Sequence, residues 1–392
     1  MAKGGKYLRQ ESPRGSRQAP RRDYQEPVQK KKKKMGVLPI ILIVIALLLV
    51  TIIGGGYWYV TNMLGLVSKP GQVTTPSMSA EDEANMLGTL PTQPMTAPVE
   101  ETETTSPEDT WPEIHSDQNI TNIMVVGQAA RENEDYRLAD SMILCSINRE
   151  TKTLTMTSFM RDLRVVIPAY AGHTQGFNRI NNVYHLGSHW TGEVSGSMEM
   201  LALAIEQNFG VHVDHTVEIG FYSFMDIVDL VGGIDAELNQ EECEQMWIDG
   251  TGANVDIKPG LNHLNGYQAL MYARMRKVGH GDFDRTARQR HVITEILKKC
   301  KEMSLLEVND LFRTVMPMIV TDMTTQEMTN YAFELIPMLK GLNIVSQSIP
   351  FEGTYWSTNQ GSEAVPDWVL DANLKKNGEM LRESIGMVEA TE

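Results

Sequence analysis

One stretch of 24 residues, 37–60, contains no charged side chain and divides the sequence into two unequal parts. A helix of that length is long enough to cross a hydrocarbon core of about 30 Å, and it exceeds the apolar part of a cleaved signal peptide. A lysine run at 30–34 precedes the stretch, and Tyr-Trp-Tyr at 57–59 ends it, as is typical of the two membrane interfaces. The sequence therefore predicts a single membrane-spanning helix, with the N-terminus in the cytoplasm and the longer C-terminal part outside the cell.

A cleaved signal sequence is the alternative interpretation of the same stretch. It is disfavoured because no small-residue cleavage site stands out after the glycines at 54–56. Residues 1–36 hold 12 Lys and Arg against 3 Asp and Glu, so a chain of net charge −15 carries −24 beyond this tail. Such an acidic external part excludes nucleic acid as its partner. The tail is expected to fix orientation and to contact anionic lipid.

The external part divides into a stalk and a domain. Residues 61–117 are rich in Pro, Thr, Ser and Glu and lack apolar periodicity, which predicts a disordered stalk. Residues 118–386 are numerous enough to bury the core of one large domain. The cysteines, Cys145, Cys243 and Cys300, are odd in number and widely spaced, so neither a disulfide framework nor a zinc site is predicted.

Short apolar runs alternate with amphipathic stretches through the domain. Apolar runs bounded by polar residues predict strands, and apolar residues at helical spacing predict helices. The predicted strands are 122–127, 141–147, 154–159, 216–219 and 343–349, and the predicted helices are 196–210, 221–231, 265–273, 285–302 and 324–340. Ser197 is the predicted cap of the helix at 196–210. Alternation of this kind predicts a layered α/β domain.

Arginines are concentrated in residues 269–290, ALMYARMRKVGHGDFDRTARQR. The guanidinium group matches phosphate oxygens two at a time, so this density predicts a phosphate or diphosphate ligand. The alternative is a solvated basic face whose arginines pair with neighbouring acids.

Spacing sharpens the phosphate hypothesis. Arg274 and Arg276 share a face only if the backbone between them is extended. Arg285, Arg288 and Gln289 lie on one face of a helix, and Asp284 is the residue predicted to cap it. The two halves would then contact one diphosphate from two sides.

Several blocks of the sequence also resemble a known family. The blocks are NIMVVG, LADSMIL, SFMRD, RINNVYHLG, FMDIVDLVGGID, KPGLNHLNGYQALMYARMR and GDFDRTARQR. Their order and spacing over about 120–300 resemble the LytR-CpsA-Psr family. The resemblance implies a layered α/β/α domain with a central mixed sheet, preceded by one transmembrane helix.

The resemblance further implies a wall-assembly enzyme of mainly Gram-positive bacteria. Such an enzyme transfers a glycopolymer of the teichoic acid or capsular polysaccharide type from a polyprenyl diphosphate carrier to peptidoglycan, forming a phosphodiester. Two alternatives stay open, namely a module that binds lipid diphosphates without turnover and a membrane-bound regulator of transcription.

Site residues are implied by matching motifs. Arg161, Arg274, Arg276, Arg285 and Gln289 correspond to residues that bind the diphosphate. Asp282 corresponds to the catalytic base and acts with Arg285, and the surrounding arginines are expected to keep it ionised while weakening it as a base. The alternative is that Asp282 only forms ion pairs that hold the arginines in place.

Metal binding is implied less completely. Asp140 matches one of two magnesium-binding aspartates, and Ala129 stands where the other is expected, so magnesium affinity is expected to be reduced. Asp162 is expected to be an ion-pair partner of the arginines, and Asn181 either contacts phosphate or caps a turn. The polyprenyl tail needs an apolar tunnel, for which methionines such as Met198, Met200, Met225 and Met271 are candidates, unless they are simply core.

Overall fold

The computed structural model describes residues 112–128, 138–249, 256–304, 307, 311, 314–361 and 367–387. These residues belong to one compact unit, Gly56–Glu392. The predicted tail, the predicted span and most of the predicted stalk lie outside the described residues. Within the described residues, no helix is both long and apolar enough to cross a membrane.

Strands and helices alternate along the described chain. The strands are β1 (Ile120–Gln128), β2 (Ala139–Asn148), β3 (Thr153–Phe159), β4 (Arg164–Ile167), β5 (Gly176–Arg179), β6 (His215–Gly220), β7 (Ile234–Leu238), β8 (Gly260–Leu264), β9 (Ile319–Thr321), β10 (Asn343–Ile349), β11 (Tyr355–Asn359) and β12 (Trp368–Ala372). The helices are α1 (Ile180–Thr191), α2 (Val194–Phe209), α3 (Phe221–Leu230), α4 (Gln240–Asp249), α5 (Gly266–Arg274), α6 (Asp282–Glu302), α7 (Thr325–Met338) and α8 (Leu374–Ile385).

A mixed sheet lies at the centre of the domain. In the described residues it has six strands in the order β10-β3-β2-β1-β6-β9. The pair β1–β6 and the pair β3–β10 are parallel, whereas β1–β2, β2–β3 and β6–β9 are antiparallel. The predicted α/β fold with a central mixed sheet is therefore confirmed.

Helices cover both faces of this sheet. Alternate strand residues point to opposite sides, and apolar residues on each side pack against helices. On one face, Met124 and Met142 pack in the same core as residues of α1, α2 and α8. On the other face, Ile143 and Met156 pack against Ile293 of α6, with residues of α7 in the same cluster. The arrangement is a three-layered α/β/α domain.

A smaller apolar cluster supports the segment rich in arginine. It joins Val228 of α3, Ile234 and Leu264 of the β7–β8 hairpin, and Tyr272 of α5, with Val292 of α6 beside them. This cluster fixes α5 and the start of α6 next to the central sheet. It thereby places residues 274–289 near the ends of β1 and β3.

Helix starts differ from two predictions. The residue before α2 is Glu193, with no side-chain capping bond, so the prediction that Ser197 caps this helix is wrong. Likewise α6 begins at Asp282, three residues before the predicted start. All three cysteines lie in the described residues and are free.

Candidate functional site

Asp140 lies in a β-bulge at one edge of the central sheet. Ala139 pairs with Gln128 while Ser141 pairs with Gly127, so Asp140 is an extra residue in β2. A bulge bends its strand and re-aims the side chain of the extra residue. The same edge receives the chain as it leaves β3, because β2 and β3 are antiparallel.

Two arginines contact the Asp140 carboxylate. Arg276 Nη2 lies 3.5 Å from Oδ1, and Arg161 Nη1 lies 3.9 Å from the same oxygen. Arg161 follows the end of β3, and its Nε is also 3.7 Å from Oδ1 of Asp282. The Arg161 guanidinium thus stands between the acid of the sheet edge and the acid of α6.

The first turn of α6 supplies the most deeply buried cation of the site. Gly281 precedes the helix with a φ of 64°, which favours glycine and lets the chain turn sharply. Arg285 Nη2 lies 2.7 Å from Oδ1 of Asp282, and the Arg285 side chain is only 2% exposed. Gln289 follows Arg285 at i+4, so both lie on one side of α6.

Arg274 and Arg276 reach the site from the end of α5. Met275 between them is extended, with φ −60° and ψ 130°. An extended residue at this point is what the prediction that Arg274 and Arg276 share a face requires. The Arg274 guanidinium carbon lies 4.5 Å from the centre of the Phe221 ring, a cation–π contact. Both arginines line an open cavity of about 420 Å³ together with Tyr267, Met271 and Lys277.

Several buried polar atoms of the site have no hydrogen-bond partner in the described residues. They are Arg161 Nε, Arg285 Nε, Nη1 and Nη2, both carboxylate oxygens of Asp282, and Gln289 Oε1. The Asp282–Arg285 approach is close but is not aligned as a hydrogen bond. Buried polar groups are normally hydrogen-bonded, since dehydrating them costs free energy. Unused arginine donors of this kind are suited to an anion rich in oxygen.

Burial shifts the proton affinities of the site. The pKa of Asp282 is raised because burial outweighs the opposing attraction of Arg285 and Arg161. Burial lowers the pKa of Arg285 to about 10, and it also lowers the pKa of Arg276. The arginines remain charged at neutral pH. The arginines do lower the pKa of Asp282, as expected, but burial raises it by more, so the net shift is opposite to the expected weakening of the base.

An apolar cavity of about 280 Å³ opens beside these charges. Asp140, Arg274 and Gln289 line it at one end, and the rest of its lining is mostly apolar. A second apolar cavity, of about 400 Å³, lies between the sheet, α6 and α7. Ile227 and Ile296 line both cavities, so the two are neighbours.

The four methionines considered from the sequence do not line these apolar cavities. Met198 and Met200 belong to the core on the opposite face of the sheet. Met271 lines the open cavity at Arg274 instead. The methionines that do line the second cavity are Met316, Met323 and Met328. Met316 and Met323 flank β9, and Met328 lies in the first turns of α7.

Arg288 and Arg290 are directed away from the site. Arg288 lies 3.0 Å from Oε1 of Glu242 and donates to the Met275 carbonyl. Arg290 donates to the hydroxyl groups of Ser158 and Ser348. Of the three residues predicted to share a face, only Arg285 and Gln289 therefore do so at the site, since Arg288 belongs to the interface with α4.

Two further expectations are corrected by the backbone. The Asp284 carboxylate accepts from the His280 backbone N–H at 2.7 Å, and Gly281 takes the cap position, so Asp284 is not the cap of α6. Asn181 lies at the start of helix α1 and does not cap a loop turn. Its backbone N–H donates to the Arg161 carbonyl. The Asn181 side-chain oxygen has no partner in the described residues.

Asp162 is an ion-pair partner, as expected. Its carboxylate lies 3.4 Å from Arg161 Nε and 3.5 Å from Arg179 Nε. Arg179, at the end of β5, and Phe221 are site neighbours that sequence reasoning did not identify. A basic residue after a short strand and an aromatic residue at a helix start carry no distinctive pattern.

The described carboxylates do not by themselves fit a magnesium ion. Magnesium takes oxygen ligands, with carboxylates foremost among protein groups. The Asp140 carboxylate contacts two guanidinium groups, and no group of three or more His, Cys, Asp or Glu residues in the described part is placed to hold a metal. Ala129, with its acidic neighbours Glu132 and Glu134, lies outside the described residues.

Comparison with known proteins identifies the family to which the chain is similar. A family model described as the LytR_cpsA_psr family matches residues 91–373. Biofilm regulatory protein A of Streptococcus mutans is 28% identical over 250 residues, covering 60% of this chain and 57% of that protein. A Bacillus subtilis protein named polyisoprenyl-teichoic acid–peptidoglycan teichoic acid transferase TagV is 32% identical over 168 residues, covering 42% of this chain and 40% of that protein. The chain thus spans about half the length of these relatives.

A solved structure shares the fold. TagT bound to LIIa-WTA superposes with a TM-score of 0.54 at 22% identity, covering 69% of this chain and 92% of that chain. The match over residues 91–373 covers most of the sequence and includes every site residue considered above. The resemblance seen in the sequence blocks is therefore confirmed, and the chain belongs to the LytR-CpsA-Psr family.

Proposed function

We propose that this protein is a phosphotransferase that attaches a polyprenyl-diphosphate-linked glycopolymer, of the teichoic acid or capsular polysaccharide type, to peptidoglycan through a phosphodiester. The observation that carries the proposal is the set of buried arginine donors beside Asp282 that have no hydrogen-bond partner in the described residues, next to an apolar cavity lined by Asp140, Arg274 and Gln289. The names of relatives support it, since TagV of Bacillus subtilis is named as such a transferase. TagT, which shares the fold, is bound to LIIa-WTA.

The diphosphate would lie among Arg161, Arg274, Arg276 and Arg285. Arginine forms paired hydrogen bonds with phosphate oxygens and remains charged in this setting. Gln289 lines the adjoining apolar cavity near Arg274, where its amide nitrogen can donate to a bridging or terminal oxygen. The proposed site thus combines donors for two phosphates with an exit for an apolar chain.

The two apolar cavities would hold the polyprenyl tail. A polyprenyl chain is a hydrocarbon, and removing it from water into an apolar lining is favourable by about 25 cal/mol for each Å² buried. Because Asp140, Arg274 and Gln289 stand at one end of the first cavity, a tail inside it leaves its diphosphate at the arginines.

Transfer would begin with proton removal by Asp282. The oxygen of the acceptor hydroxyl forms a bond to the phosphorus that carries the polymer, and its proton passes to the Asp282 carboxylate. The bond from that phosphorus to the bridging oxygen breaks, and the carrier leaves as a polyprenyl monophosphate. Arg285 and Arg161 stabilise the charge on the phosphoryl oxygens, which is the main task of the protein in phosphoryl transfer.

Location and metal are further parts of the proposal. The uncharged stretch at 37–60 supports a single-pass protein of the cell membrane, with the tail in the cytoplasm and the domain outside. A protease added to intact protoplasts should then digest the chain beyond about residue 64 and spare the tail. Magnesium is proposed from family membership and Asp140 alone, and no chemical step above depends on it.

A turnover assay tests the proposal. The full-length protein in detergent is given a polyprenyl-diphosphate-linked sugar and peptidoglycan fragments, and the expected products are a phosphodiester-linked conjugate and the polyprenyl monophosphate. Carrier binding without either product would instead support the non-catalytic binding module. A membrane-bound regulator of transcription would act through its cytoplasmic tail, whereas the proposed transferase acts through its external domain. Deletion of residues 2–29 should therefore leave transfer unchanged if the proposal is correct.

A further inference from the structure

The β11–β12 ribbon lies directly beside the Arg161–Asp162 segment. The Leu370 backbone N–H donates to the Asp162 carbonyl at 2.9 Å, and Leu163 forms a bridge with Leu370. At the start of β12, Trp368 is 59% exposed, which is unusual for so large an apolar ring. An exposed indole is thus held next to the residues that surround Asp282.

A chain of charged contacts connects Trp368 with the proposed transfer site. Asp162 lies between Arg161 and Arg179, at 3.4 Å and 3.5 Å. Arg179 Nη2 donates to the Trp368 carbonyl at 3.1 Å and also pairs with Asp367. None of these residues lines the apolar cavity that ends at Asp140 and Arg274. The contacts run from Arg161 through Asp162 and Arg179 to Trp368, so Trp368 lies on the side of Arg161 that faces away from the cavity.

Strand register shows which side of the ribbon carries Trp368. Trp368 pairs with Asn359, and Tyr355 pairs with Ala372, so Trp368 and Tyr355 are on the same face. The Tyr355 ring lies 5.4 Å from the ring of Phe283, the residue that follows Asp282. The face with Trp368 is thus the face that contacts the start of α6.

We propose that Trp368, Arg179 and Asp162 form a subsite for a sugar of the acceptor glycan strand. This inference rests on the proposed function, because in-line displacement brings the acceptor hydroxyl in opposite the leaving carrier phosphate. The carrier is assigned to the cavity side of Arg161, so the acceptor approaches from the Trp368 side.

The chemistry of the subsite fits an uncharged sugar. An exposed indole buries the apolar face of a sugar ring, while carboxylate and guanidinium groups bind its hydroxyl and amide groups. Asp162 and Asp367 provide two negative charges, which balance the two positive charges of Arg161 and Arg179, so these groups leave no net positive charge at the subsite. That balance disfavours a second phosphate, so the anionic donor polymer does not suit this place.

Trp356 provides a matched control. It is a second tryptophan of the same ribbon, 37% exposed, and its register partner is Asp371, which places it on the opposite face. The experiment compares full-length wild type, Trp368→Ala, Trp368→Phe and Trp356→Ala in detergent. Binding of soluble, undecorated peptidoglycan glycan fragments is measured by calorimetry, and carrier affinity and transfer are measured on the same samples.

The subsite is supported if Trp368→Ala binds the fragments about tenfold more weakly and shows a correspondingly higher acceptor KM, while carrier affinity is unchanged. Trp368→Phe should recover most of the affinity, and Trp356→Ala should resemble wild type. Fragment binding that is unaffected by Trp368→Ala, or that is undetectable in wild type, overturns the inference. If the fragments bind with the expected losses but wild type shows no transfer, the subsite stands and the proposed function is wrong. The two outcomes can be told apart because binding is measured independently of turnover.

Discussion

Asp282 and Arg285 form an ion pair within the first turn of α6, with Oδ1 of the acid 2.7 Å from Nη2 of the arginine. The arginine is almost fully buried, so removing either partner deprives the other of its nearest opposite charge. Variants that keep the shape of the side chain are therefore the informative ones. The pair also joins the proposed base to the group that would stabilise the phosphoryl oxygens.

Asp282→Asn should abolish transfer while leaving carrier binding almost intact. The amide keeps the shape of the carboxylate but cannot accept the proton of the attacking hydroxyl, and loss of a general base costs roughly 10²- to 10⁴-fold in rate. Single-turnover transfer and equilibrium carrier binding are the measurements. Asp284→Asn, two residues later in the same turn, is the control and should transfer normally. Equal rates for the two variants would remove Asp282 from the mechanism.

The transfer rate should fall as the pH decreases through the pKa of Asp282. Burial raises that pKa, so the acidic limb of the rate profile should lie at a higher pH than that of an ordinary carboxylate near 3.8. Only the deprotonated form acts as a base, which gives the limb its sign. Single-turnover rates against pH test this, and the residual rate of Asp282→Asn should show no such limb. A wild-type profile that is flat down to the ordinary range would contradict the assignment.

Arg274→Ala and Arg276→Ala should each weaken binding of a polyprenyl diphosphate by about 1.5 to 3 kcal/mol, the usual worth of a charged hydrogen bond. Arg274→Lys should recover only part, since an ammonium group cannot make paired contacts. Arg149→Ala is a matched control. Arg149 follows the end of β2 that is remote from Asp140, and it forms an ion pair with Glu334. Calorimetric losses below about 1 kcal/mol in both site variants would favour the solvated basic face.

Ile296→Trp should block long carriers selectively. Ile296 lines both apolar cavities, so a larger ring there fills the space where they adjoin. Binding of a long polyprenyl diphosphate should weaken, whereas geranyl diphosphate, whose chain is short, should bind as in wild type. The two ligands serve as controls for each other, because a misfolded variant would lose both. Equal losses for both ligands would place the tail outside these cavities.

Ala129→Asp should tighten magnesium binding, and Asp140→Ala should abolish it. A second carboxylate adds a negatively charged oxygen ligand, which raises affinity for a hard cation. Calorimetry with magnesium, in the presence of a soluble diphosphate, distinguishes the variants. No difference between wild type and Ala129→Asp would mean that a neighbour such as Glu132 or Glu134 already supplies the ligand, or that no metal is used.

Residue patterns predicted much of the sheet, because its strands are apolar runs with clear polar ends. They failed for α1, whose buried side includes Asn181, His185 and Ser188, so apolar spacing gives no signal there. The strands β4 and β5 have only four residues each, which is too short for alternation to be recognised.

For the site, spacing placed Arg285 beside Gln289 and identified the extended link between Arg274 and Arg276. The bulge at Asp140 was not predictable, since it depends on how β1 and β2 pair rather than on either sequence. The sign of the Asp282 pKa shift was also missed. It depends on how much water reaches the carboxylate, a quantity that spacing does not contain.

Asp140, Arg161 and Arg285 come from segments that are distant in sequence and meet only where the finished sheet presents its edge to α6. An unfolded chain does not hold these three side chains together, so the proposed diphosphate site forms only with the fold. Any ligand held there binds the native state alone and raises the free energy of unfolding by mass action. Binding of the proposed lipid carrier is therefore coupled to completion of the fold.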